Sequence, residues 1–126
     1  MNATLENKLK QINIEDRIWL IYIGIIFLSW YANNLERKYF IFKEEESKRK
    51  YRNVMIFIFA ILVIVYFYFF KQSLSDVKNI KSIDSNKNKT LIYLSFYGSL
   101  LILIGGLIFL YIAIVDEDLS VELAFD

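Results

Sequence analysis

The stretch VMIFIFAILVIVYFYFF, Val54–Phe70, decides the fold. Seventeen consecutive residues carry no charge, no glycine and no proline. As a helix rising 1.5 Å per residue they extend about 25 Å, most of the roughly 30 Å of bilayer hydrocarbon. Tyr66, Tyr68 and the neighbouring phenylalanines are the kind of residue that marks a membrane interface. The run is preceded by FKEEESKRKYRN, in which Glu44 and Lys48, Glu45 and Arg49, and Glu46 and Lys50 are successive i,i+4 pairs with the acid on the N-terminal side. That orientation supports a helix, so this second helix should begin near Glu44, in water, and enter lipid at Val54.

Two more apolar stretches flank it. Ile18–Ala32 (IWLIYIGIIFLSWYA) covers only about 22 Å and needs helical residues beyond its ends to cross. Asn13 is a candidate N-cap with acids following, which predicts a helix from about Ile14 and a first span over 14–32. A cleaved signal peptide is disfavoured, because cutting after Ala32 puts bulky Trp30 where a small residue is required. Leu91–Val115 covers about 37 Å, enough to span with tilt. The spans are therefore expected at about 14–32, 54–70 and 91–115. Between the last two, Leu74, Val77, Ile80 and Ile83 recur every third residue after a loose Ser73–Asp76 capping box. This predicts a short interfacial helix over about 74–82, then a polar turn at SNKNK with Thr90 capping the third helix.

Composition agrees. The 126 residues are 56% hydrophobic with a mean hydropathy of +0.38, yet 14 acidic and 15 basic residues are also present. They are kept out of the three apolar stretches, a segregation that is a membrane signature. The expected fold is all-α integral membrane, a single domain over 1–126 of three transmembrane helices with short amphipathic or charged connecting helices.

Chemistry is sparse. There is no Cys and no His, which removes thiol nucleophiles, thiolate and imidazole metal ligands, and imidazole-dependent triads. None of the apolar segments Ile18–Ala32, Val54–Phe70 and Leu91–Val115 holds a charged residue, which disfavours a proton relay, a voltage sensor or an ion-coupled carrier. Ser29, Ser95 and Ser99 are the polar groups at depth besides tyrosines, and serines in helices usually bond their own backbone. We expect no enzymatic activity, no catalytic residues, no metal and no cofactor. Proline is absent as well, and the abundance of Ile, Lys and Asn suggests an AT-rich bacterial genome.

The third span carries three of the four glycines. Ser95, Gly98, Gly105 or Gly106, and Ala113 share one helical face with Ile102 and Phe109. Small residues let another backbone approach, the usual device for helix association where lipid supplies no hydrophobic drive. Gly24 and Ala60 are candidate partners on the other two spans. The Gly105–Gly106 pair could alternatively mark an unwound, site-lining segment, although no second broken span accompanies it. Lys48, Arg49, Lys50 and Arg52, interrupted by Tyr51, could suggest nucleic acid, but their place beside a span makes anionic lipid headgroups the simpler partner.

The chain closes with DEDLSVELAFD, five acids without a base, at the negative end of the third helix. Continuation of the helix past Asp118, pairing with basic groups, simple solvation and a divalent ion all remain open; no defined cation loop is matched. Basic residues nearly tie across the two sides, and the flanks of the first span tip the reading toward a cytoplasmic first loop and tail.

The phrases EDRIWLIYIG, SWYANNLERKYFIF and DEDLSVELAFD, with three spans among them, resemble a group of small three-span membrane proteins from low-GC Gram-positive bacteria. The resemblance covers nearly the whole chain and implies a multi-pass protein of the bacterial cytoplasmic membrane; it carries over no activity and no functional residue. The layout is also similar to some phage holins, whose tails tend to be basic where this one has no Lys or Arg. The role expected is a non-enzymatic accessory or interaction subunit, a homo-oligomer or part of a larger membrane assembly, with a holin-like or toxin-like oligomeric pore as the alternative.

Overall fold

The computed structural model describes residues 3–82 and 84–119. Three helices follow one another: α1 (Ala3–Phe42), α2 (Glu45–Lys78) and α3 (Asn86–Val115), with no strand among the described residues. All three are long and apolar enough to cross a membrane. The chain is an all-α, multi-pass membrane protein in contact with lipid. Exposed Trp19, Leu20, Ile26, Phe27, Ile64 and Leu101 are what such a solvent allows.

The helices are longer than their apolar runs. α1 starts at Ala3, not near Ile14, and continues past Ala32 to Phe42. Asn13 is an interior residue there and not a cap. Nothing between Ala3 and Phe42 except Gly24 opposes helix, so the backbone ladder runs on through water-exposed residues at both ends. The 40 residues make about 60 Å of helix, twice the hydrocarbon thickness. Likewise the predicted interfacial helix over 74–82 is not a separate element. α2 continues unbroken to Lys78, because KQSLSDVK holds no proline or glycine to stop it. Ser73 is buried and donates to the Phe70 carbonyl at 2.9 Å instead of capping a new helix. Ile83 lies outside the described residues.

Ser85, not Thr90, caps α3. Its hydroxyl accepts from the Asn88 N–H at 3.1 Å, while Thr90 lies in the first turns and donates to the Asn86 carbonyl at 2.9 Å. Ahead of it the connection is tied by the Lys81 N–H on Asp84 Oδ2 at 2.8 Å. α3 stops at Val115, and the Asp116 N–H returns to the Ile112 carbonyl at 2.8 Å. The helix does not run past Asp118. Ser120, Glu122 and Asp126 of the tail lie outside the described residues.

The chain divides into two compact units, Met1–Val54 and Met55–Asp126, with the division inside α2. In the first, α1 turns back through Lys43 and Glu44 into the opening turns of α2. Lys43 adopts a left-handed φ of 57°, and its N–H closes on the Tyr39 carbonyl at 2.7 Å, a helix-ending geometry usually given to glycine. Ile18, Ile25 and Ala32 are buried along α1 at seven-residue intervals, and Leu35 adds to them. In the second unit α2 and α3 run antiparallel, as the contacts of Phe59 with Phe109 and Phe70 with Phe96 require. Met55, Ile58, Leu62 and Val65 repeat at alternating three and four residues, the seam of two closely packed helices.

Candidate functional site

Two places gather the residues singled out in the sequence. One is the glycine-bearing surface of α3; the other is the polar head of the α1–α2 hairpin.

On α3 successive residues turn by 100°, so adjacent glycines face in different directions. Gly106 is buried, and a Cβ there would lie 2.9 and 3.1 Å from Cδ2 and Cε2 of Tyr66 and 3.5 Å from Val63 Cγ2. Ala113, two turns on, is also buried, and Phe109 between them stacks on Phe59 with ring centroids 5.6 Å apart. This side of α3 is filled by α2. At Gly98 and Gly105 the added Cβ would meet nothing within 4 Å, and Ser95 is exposed. These two glycines are seven residues apart, hence nearly in line. The predicted small-residue face therefore has two parts, one occupied and one open. Ala60 of α2 is half-buried, and Gly24 of α1 also has open space where a Cβ would stand.

At the hairpin head the short turn forces the last residues of α1 to face the first of α2. Lys48 Nζ sits 5.4 Å from the centre of the Tyr39 ring. Counting back from that contact, the apolar run of α1 ends at Ala32 and that of α2 begins at Val54 at nearly the same level. The residues between form a head about 15 Å tall, in which Leu35, Ser47 and Tyr51 are buried while Lys38, Glu45, Glu46 and Arg49 are exposed. Between the helices is a cleft of about 480 Å³, lined by Tyr31, Asn34, Leu35 and Lys38 from α1, by Glu44 of the turn, and by 45–47 and Lys50 from α2. Leu35 and Ser47 are its buried parts.

Of the three i,i+4 pairs expected here, Glu46–Lys50 closes at 3.4 Å. Lys48 lies over the Tyr39 ring, and Glu44 turns its carboxylate to accept from the Ser47 hydroxyl at 2.7 Å. Arg49 is exposed and Arg52 half-buried. Of the four basic residues assigned to headgroups, Lys50 lines the cleft. The sequence singles out neither Asn34 nor Lys38, and marks Glu45 only as the i,i+4 partner of Arg49. Their signal is the two-residue interruption between helical segments, which folds NNLERK onto EEESKRK; it is readable only once α1 is known to extend to Phe42.

Among the described residues no group of three or more acids could hold a metal ion. Ser29, in the first span, keeps a buried hydroxyl oxygen with no hydrogen-bond partner among them. The chain matches no protein-family model, no curated protein and no solved structure.

Proposed function

We propose that this membrane protein is a non-enzymatic accessory or interaction subunit of the bacterial cytoplasmic membrane. It assembles with itself or a larger membrane partner through the open small-residue face of α3. The observation that carries the reading is the unfilled space at Gly98 and Gly105, one face of a helix whose other face is already packed. α3 is also the least covered span: 11% of its apolar window is buried, against 28% for α2 and 22% for α1. Glycine in a helix interior costs up to about 1 kcal/mol relative to alanine, so two with open space where a Cβ would stand are accounted for by a backbone that comes close. The lack of Cys and His argues for a structural role over a catalytic one.

Gly98→Leu together with Gly105→Leu should abolish assembly measured by crosslinking in native membranes or by native mass spectrometry, while leaving the α2–α3 contact intact. Assembly that survives both substitutions would sink the proposal. The pore alternative is separated in the same cells, since induced expression of a pore admits a small dye and an accessory subunit does not. Reproducible turnover of a lipid or peptide substrate, lost on changing a single Ser or Asp, would contradict the non-enzymatic part.

A further inference from the structure

Lys38 from α1 and Glu45 from α2 line the same cleft at the hairpin head, and neither pairs with another described residue. The remaining charges of the cleft are engaged, Lys50 with Glu46 and Glu44 with the Ser47 hydroxyl. One open cation and one open anion thus face a shared space of about 480 Å³. We propose that this cleft binds the headgroup of a membrane phospholipid carrying a phosphate and a primary ammonium, the phosphoethanolamine group. The inference stands apart from assembly through α3.

The donor set fits the phosphate. Lys38 supplies an ammonium, and Arg37 Nη1 donates to Asn34 Oδ1 at 2.9 Å, which leaves the Asn34 NH₂ as a donor toward the cleft. The acceptor set fits the ammonium, which needs oxygen acceptors alone. Glu45 offers a carboxylate, with those of Glu44 and Glu46 beside it. Counting the lining charges, two lysines against three glutamates leave a net of −1. A purely anionic headgroup is poorly matched to that balance, whereas a zwitterion places each of its charges opposite its complement.

The position favours a lipid over the free compound. Tyr31 stands at the cleft where both apolar runs end, and Trp30 and Phe27, exposed at 66% and 63%, lie one and two turns below Asn34 on its face of α1. Acyl chains leaving a headgroup held by Asn34 and Lys38 find that apolar surface directly beneath.

The two tryptophans, Trp19 and Trp30, give the test its reporters. The full chain carrying Trp19→Phe, so that Trp30 alone emits, is reconstituted in vesicles mixing phosphatidylethanolamine and phosphatidylglycerol, with the acyl chains of one or the other dibrominated. Brominated phosphatidylethanolamine should quench Trp30 several-fold more effectively than brominated phosphatidylglycerol at equal mole fraction. Glu45→Gln and, separately, Lys38→Gln should abolish that preference; both side chains are exposed, so neither change disturbs the fold. In the converse Trp30→Phe protein, Trp19 should show no preference. Equal quenching at Trp30, a preference for phosphatidylglycerol, or a preference that survives Glu45→Gln would each overturn the site. Free phosphoethanolamine should leave the quenching unchanged; if it removed the preference at concentrations near that of the protein, the lipid assignment would be overturned.

Discussion

The α2–α3 pair and the head of the α1–α2 hairpin are both two helices side by side, but different forces hold them. In the pair, the contacts are ring on ring and ring on glycine: Phe59 with Phe109, Phe70 with Phe96, Tyr66 against Gly106. In the head, beside the buried Leu35 and Tyr51, they include a left-handed lysine, a serine–glutamate hydrogen bond, the Glu46–Lys50 ion pair and a lysine over a tyrosine ring. Lipid explains the first set, because a bilayer gives no hydrophobic drive between helices and leaves shape as the main source of affinity. Water explains the second, where each polar contact competes with solvent and contributes little alone. The comparison teaches that substitutions in the pair should act through volume and those at the exposed polar residues of the head through charge and backbone.

The largest effect should come from Phe59→Ala. Phe59 is 1% exposed, and truncating a buried phenylalanine costs roughly 3 kcal/mol or more, much of it from the cavity left behind. A markedly lower thermal midpoint in detergent micelles is expected, and an unchanged one would mean the ring is not part of the packed seam. Next is Gly106→Ala. Its methyl would stand 2.9 Å from ring carbon Cδ2 of Tyr66, close to the backbone end of that side chain, so the helices must part or the ring must turn. Overpacking of this kind costs about 1–3 kcal/mol. Gly105→Ala, one residue away, should cost the isolated subunit nothing and gain up to about 1 kcal/mol of helix propensity. Two adjacent glycines should thus respond with opposite signs, and a matching response would erase the distinction between a filled and an open face.

In the head, Lys43→Gly should stabilise by about 1 kcal/mol, since a side chain at a φ of 57° crowds the following carbonyl and glycine does not. Slower amide exchange in the flanking turns of α1 and α2 would register it. Faster exchange would mean that the lysine side chain makes compensating contacts.

How much of this is legible in the sequence divides along the same line. Val54–Phe70 and its two companions announce three membrane-crossing helices, because apolar length is a property of composition alone. Helix ends are not announced. Lys43 turns the chain without glycine or proline, and Asn13, Ser73 and Thr90 resemble caps while lying inside helices. A capping side chain signals an end only where the backbone has stopped supplying partners, and here it had not. At the candidate sites, Gly98, Gly105 and Gly106 can be found by eye, but which of them meets Tyr66 depends on the rotation of α3 against α2. Lys50 is visible as a basic residue beside a span, whereas Asn34, Lys38 and Glu45 form a cleft only through the register that the short turn imposes.

The smallest effect tests the charge side of the comparison most directly. Glu46 and Lys50 are paired at 3.4 Å, but their side chains are 68% and 53% exposed, so solvent and salt screen most of the attraction. Glu46→Gln should cost no more than about 0.5 kcal/mol at low ionic strength, and the difference from the unchanged protein should fade toward zero in molar salt, where the screening length shrinks to about 3 Å. The Phe59→Ala deficit should persist across the same salt series, because packing volume is indifferent to ionic strength. Running both proteins through one titration of amide exchange against salt therefore separates the two kinds of helix contact within one molecule. A Glu46→Gln loss that is large and independent of salt would mean the pair is shielded from water, and the head would then be held by the same dry packing as the α2–α3 pair.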